Sequence, residues 1–154
     1  MSIREDESVV ETTAQRDDEV KRLVREFEAC TLAGERWTHE AHLTVALWYL
    51  VRHAGAEATR LIREGIQRYN LARGVEMTKD GGYHETITLF YIRVIRRYLN
   101  GTDAEDAATL AELLDGLIAA CGDRNFPFEY YSRERLLSWE ARTGWLEPDL
   151  KSLD

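Results

Sequence analysis

Proline is nearly absent from this chain. Pro127 and Pro148 are the only two in 154 residues, so nothing in the first 126 positions removes a backbone donor or clashes with a preceding turn. Long, unbroken helices are therefore permitted over most of the sequence, and the apolar pattern asks for them.

From about Ala14 to Leu32, Val20, Leu23, Val24, Phe27 and Cys30 or Thr31 recur at three-and-four spacing, the stripe of an amphipathic helix. Gly34 breaks it. Residues 1–13 carry no sustained period and predict an acidic, mobile tail that can join the first helix. Thr38 is a good N-cap for a second helix running to Arg52 or Ala54, apolar on most sides through Ala41, Val45, Leu47, Trp48, Leu50 and Val51, and so placed at the centre of the core. After Gly55, Leu61, Ile62, Ile66, Tyr69 and Leu71 mark a more exposed third helix that Gly74 stops. The stretch GVEMTKDGGY predicts a loop. HETITLFYIRVIRRYL is β-branched enough to allow a strand, but its length and three-four period favour a helix. Thr102 or Asp103 then caps an Ala- and Leu-rich fifth helix, and Ser132 caps a sixth through Leu136, Leu137, Trp139 and Ala141. The expected fold is all-α, one bundle-like domain of five or six helices over 14–154.

With 44% hydrophobic residues there is enough apolar surface for a packed core. A formal charge of -8 argues against a nucleic-acid backbone or an anionic membrane surface as partner. The longest apolar run, Leu43 to Val51, falls far short of the ~20 residues that span a bilayer. The N-terminal stretch has neither the basic region nor the apolar core of a secretion signal, so a cytoplasmic protein is expected. Cys30 and Cys121 form no CxxC pair and predict reduced, helix-buried thiols.

If consecutive helices pack antiparallel, the second, fourth and sixth begin at the same end, gathering WTHEAH, GGYHET and FEYYSRER around one mouth. His39 and His42, three apart on a helix, can approach one ion or ligand, and His84 would face them. Three neutral imidazoles suit catalytic zinc, and imidazole also takes iron or nickel. Glu85 or Glu40 could complete the shell, and Glu85 is the candidate general base for metal-assisted hydrolysis. Three uses stay open for the histidines: a divalent metal, a metal-free ligand or catalytic site, or a structural hydrogen-bond cluster. Tyr83, Tyr130 and Tyr131 either present hydroxyls to a small-molecule ligand or plug the bundle end with their rings. Arg133 and Arg135, opening a helix where cations are unwelcome, imply a partner: Glu129, Glu85 or an anionic ligand. Arg93 to Arg97 read as a solvated face. HEAH is not HExxH, and no Glu-x-x-His pair, P-loop or GxSxG elbow is present.

WTHEAHLTVALWYL, GYHETIT and YYSRERLLS together resemble a family of small bacterial all-helical proteins that carry WTHxxHL and GYHET segments. The likeness covers roughly Glu26 to Leu150 and brings no activity with it. It implies that Trp37, Thr38, His39, His42, Tyr83, His84, Glu85 and Thr86 are the distinctive features. The two functions to separate are therefore a cytoplasmic metal- or ligand-binding protein with a histidine site, and a non-catalytic interaction module or homodimer whose histidines only tie helix ends.

Overall fold

In the computed structural model the backbone is described for residues 2–102 and 109–154, and side chains from residue 13 onward outside that gap. The described residues form seven α-helices and no strand: α1 (Ser2–Glu28), α2 (His39–Arg52), α3 (Gly55–Ala72), α4 (Glu85–Gly101), α5 (Leu110–Cys121), α6 (Arg133–Leu136) and α7 (Trp139–Thr143). Short 3₁₀ turns lie at Gly34–Arg36 and Phe126–Glu129. The all-α expectation holds, and the β-branched run of α4 is helical.

Helix α2 sits at the centre and packs on α1, α3, α4 and α5. Its apolar character on most sides is what that position requires. Leu43 and Leu47 meet Phe27 of α1, Ile62 and Tyr69 of α3, Phe90 and Ile95 of α4, and Leu117 of α5 in one core, all withdrawn from solvent. Each such side chain contributes about 1.5 to 3 kcal/mol of burial. At Gly65 a β-carbon would stand 3.0 Å from the Phe27 ring, so glycine is what lets α3 approach α1 this closely.

Serine and threonine hydroxyls start four of the helices. Thr38, Thr109, Ser132 and Ser138 accept from the backbone N–H of Ala41, Glu112, Arg135 and Ala141. Three boundaries differ from the sequence expectation. Helix α1 begins at Ser2 rather than Ala14, since no proline or glycine interrupts 1–13. Thr102 closes α4, donating to the Tyr98 carbonyl at 2.8 Å, and does not open α5; Asp103 lies outside the described residues. The expected sixth helix is two, because Ser138 donates to the Arg135 carbonyl, ending α6, and then caps α7.

Residues 144–154 run without regular structure along α4. Thr86 ties their start, donating to the Gly144 carbonyl at 2.6 Å and accepting from the Leu146 N–H at 3.1 Å. Arg97 holds their end through the Leu153 carbonyl. Arg96 donates to Thr59 and the Gly55 carbonyl of α3, and Arg93 lies over the Trp145 ring. Arg93 and Arg97 are exposed and Arg96 is half-buried, as a solvated face requires, and all three also tie α4 to neighbouring segments. Among the described residues no helix is long and apolar enough to cross a membrane.

Candidate functional site

Thr38 starts α2, and His39 and His42 follow it on the first turn but point into different surroundings. His42 bends back on the helix start: its Nδ1 lies 2.7 Å from the Thr38 carbonyl. A carbonyl only accepts, so Nδ1 carries the proton and the ring is the Nδ1–H tautomer. Its ring packs on Trp37 at 3.8 Å between centroids, and Trp37 in turn stacks on Phe27 and meets Tyr69 at a tilt. This aromatic surrounding withdraws the imidazole from water, and burial pushes its pKa down to about 4.

His39 turns instead toward α4 and α5. Its ring meets Tyr91 edge-on at 5.3 Å, and burial, opposed by the nearby Cys121 carbonyl, holds its pKa below the ordinary value. Its Nε2 and the Tyr91 hydroxyl are buried, and neither has a hydrogen-bond partner among the described residues.

His84 is the N-cap of α4, a role the sequence did not suggest because caps are usually Ser, Thr, Asp or Asn. Its Nδ1 accepts from the Ile87 N–H at 3.1 Å, and its Nε2 lies 2.8 Å from the Leu136 carbonyl. The first contact needs a lone pair on Nδ1 and the second a proton on Nε2, so His84 is the opposite tautomer from His42. Both nitrogens are used. Burial, reinforced by nearby Arg142, keeps its pKa below the usual histidine value.

Glu85 is occupied as well. Arg63 of α3 grips both carboxylate oxygens, with Nε to Oε1 at 2.8 Å, and the Tyr83 hydroxyl donates to Oε1 at 2.6 Å. Burial alone would raise the Glu85 pKa; the Arg63 and Tyr83 bonds outweigh it and the net shift is downward. A carboxylate held ionised by a bidentate guanidinium is a weak proton acceptor. Glu85 thus pairs with Arg63, and among the described residues neither Arg133 nor Arg135 forms an ion pair with a carboxylate. Arg133 lies over the Phe128 ring at 5.1 Å, and Arg135 Nε donates to the Glu147 carbonyl at 2.7 Å.

The three tyrosines are buried. Tyr131 is fully buried and donates to the Leu146 carbonyl at 2.6 Å; Tyr83 is buried beside Glu85; Tyr130 accepts from Arg97. The cysteines are both free. Cys121 is buried in α5, its thiol pushed up to about 11 by burial, whereas Cys30 sits just past the end of α1 rather than within a helix. Among the described residues no three His, Cys, Asp or Glu side chains are grouped to hold a metal ion.

Two residues that carry much of this end of the molecule had no distinct signal as site residues. Thr86 was conspicuous only as part of GYHET. Buried Arg142 of α7, with no carboxylate in contact among the described residues, donates through one guanidinium nitrogen to the carbonyls of Gly81 and Gly82 at 3.0 Å and of Tyr83 at 3.3 Å. It fastens the connection between α3 and α4 to α7. Compared with protein-family models, curated proteins and solved structures, the chain matches none.

Proposed function

We propose that this chain is a non-catalytic helical interaction module that pairs with a second copy of itself through one apolar end, its histidines fastening helix ends. The observation that carries the proposal is where large apolar side chains remain outside. Of the seven exposed among the described residues, Leu71, Val75, Met77, Leu137 and Trp139 fall on the end of α3, the connection after it, and the α6–α7 segment. These segments adjoin, because Arg142 binds the carbonyls of 81–83, and residues 76–77 pack directly against Gly82. Trp139 stands one helical turn from Arg142 and is 50% exposed. A half-exposed tryptophan beside methionine and aliphatic residues is the composition of an interface centre. The same segments carry both signs of charge in their sequence, with Arg73, Lys79 and Arg135 beside Glu76, Glu134 and Glu140. A two-fold pairing sets the same patch against itself, and segments of mixed charge do not present a single repelling sign.

A divalent metal such as zinc, iron or nickel at His39, His42 and His84, with Glu85 as base, is favoured less. His84 would have to surrender the Ile87 N–H or the Leu136 carbonyl, and Glu85 would have to release Arg63.

Light scattering across a concentration series tests the proposal. The chain should rise from monomer to dimer mass, and Trp139→Glu, at a site that is not part of the core, should stay monomeric with unchanged helical circular dichroism. Monomer mass for the parent chain at every concentration overturns it.

A further inference from the structure

The segment 144–154 and α4 form a pocket of about 230 Å³, lined by Arg93 and residues 147–154. Two cations line it, and among the described residues neither has a carboxylate partner. The Arg93 guanidinium lies over the Trp145 ring at 4.4 Å and the Lys151 ammonium over the Tyr130 ring at 5.0 Å. Stacking occupies the face of a guanidinium and leaves its edge, so the five Arg93 N–H donors and the three of Lys151 stay unbonded among the described residues. Elsewhere arginines find carboxylates: Arg16 takes Asp115, Arg36 takes Glu26, and Arg60 takes Glu57 and Glu64. Acids line this pocket too, but two of them serve other donors. Glu147 accepts from the Trp145 indole N–H at 2.9 Å and Asp149 from the Ser132 backbone N–H at 2.7 Å, while Asp154 is exposed. The backbone N–H groups of Lys151, Ser152 and Leu153 also form no hydrogen bond among the described residues. Unpaired donors gathered around one concavity are what an anion requires. Size narrows the choice: at about 30 Å³ per water the space equals several waters, and it falls short of the roughly 300 Å³ at which pockets for drug-sized ligands begin.

We propose that this pocket binds a small oxyanion, a phosphate or a short carboxylate, held by the Arg93 guanidinium and the Lys151 ammonium with the backbone N–H groups of 151–153. Arg93 offers two parallel N–H donors to a pair of oxygens, and Lys151 adds a second charge. Glu147 and Asp149 keep their own donors. The chain's net charge of -8 works against a long polyanion but little against one ion, because exposed charges beyond about 10 Å are screened. The site goes beyond pairing between copies and does not depend on it: none of its lining residues belongs to the apolar face of Leu71, Val75, Met77, Leu137 and Trp139.

The backbone amide resonances of Lys151, Ser152 and Leu153 report on the pocket directly. In proton–nitrogen spectra of the full chain, inorganic phosphate and acetate are titrated separately, with sodium chloride adjusted to hold the ionic strength constant. These amides should move along a saturable curve with at least one of the two anions. Saturation by phosphate alone assigns a phosphate-bearing ligand, by acetate alone a carboxylate-bearing one, and by both an unselective oxyanion site. Arg93→Gln and Lys151→Gln lie at exposed positions and should fold. Each should weaken binding about tenfold or more, the loss of one hydrogen bond to a charged group, whereas Arg60→Gln on α3 should leave it unchanged. Shifts that never saturate with either anion, or an Arg93→Gln or Lys151→Gln variant that binds with parental affinity, overturn the proposal.

Discussion

Acid should weaken this fold at a higher pH than carboxylate titration alone can explain, and His42 should be the largest single cause. An imidazole with a folded-state pKa near 4 and an unfolded value near 6.5 binds its proton more readily when the chain is unfolded. Stability is then fully present above about pH 6.5 and is lost as the pH falls toward 4. At 1.36 kcal/mol per pH unit, lowering the pH from 7 to 5 spans about 1.5 units of that window and costs about 2 kcal/mol, roughly a thirtyfold rise in the unfolding constant. His39 and His84 are also depressed and add losses of the same sign. For His84 the cause is visible in its bonds, since protonating Nδ1 removes the acceptor for the Ile87 N–H. The depressed carboxylates Glu85, Asp115 and Asp149 contribute only below their unfolded values near 4, so pH 5 to 7 isolates the histidines. Urea unfolding at intervals across that range measures the effect. His42→Gln should remove about 2 kcal/mol of the pH dependence while leaving the fold intact. A parent chain equally stable at pH 5 and 7, or a His42→Gln variant with the parental slope, refutes the reasoning.

Three further outcomes follow from local geometry. Cys30 holds φ at 60°, a left-handed conformation that costs a non-glycine residue about 1 kcal/mol, so Cys30→Gly should raise stability by up to that amount in chemical denaturation. Gly82 combines φ of 84° with a β-carbon position 2.5 Å from the Glu76 carbonyl oxygen; Gly82→Ala should lower the melting temperature, losing about 2 kcal/mol or more. Thr86 is fully buried and satisfies both the Gly144 carbonyl and the Leu146 N–H. Thr86→Val keeps its shape but orphans both groups, and calorimetry should show a loss of about 2 to 3 kcal/mol.

The helices were legible where periodicity and caps agreed. Thr38 before an apolar run placed α2 correctly and marked it as central, because its apolar residues left no polar face to turn outward. Boundaries failed where a hydroxyl had two possible roles: Thr102 bonds back to α4, and Ser138 both ends α6 and starts α7. The site was legible in its residues but not in its bonds. WTHEAH and GYHET single out His39, His42 and His84 in the sequence. Which nitrogen each ring commits depends on carbonyls supplied by the fold, and for His84 that carbonyl belongs to Leu136, 52 positions away. Arg63 and Arg142 were invisible for the same reason, since the Arg63 partner is 22 residues distant and that of Arg142 about 60.

Nitrogen-15 spectroscopy of the imidazole side chains reaches the central claim, that these histidines are fasteners rather than ligands. At neutral pH, His84 should appear as the Nε2–H tautomer with an unprotonated, hydrogen-bonded Nδ1, His42 as the Nδ1–H tautomer, and neither resonance should move when zinc is added. A His84 ring protonated on Nδ1, or His42 and His84 signals that shift together at one equivalent of zinc, would contradict it.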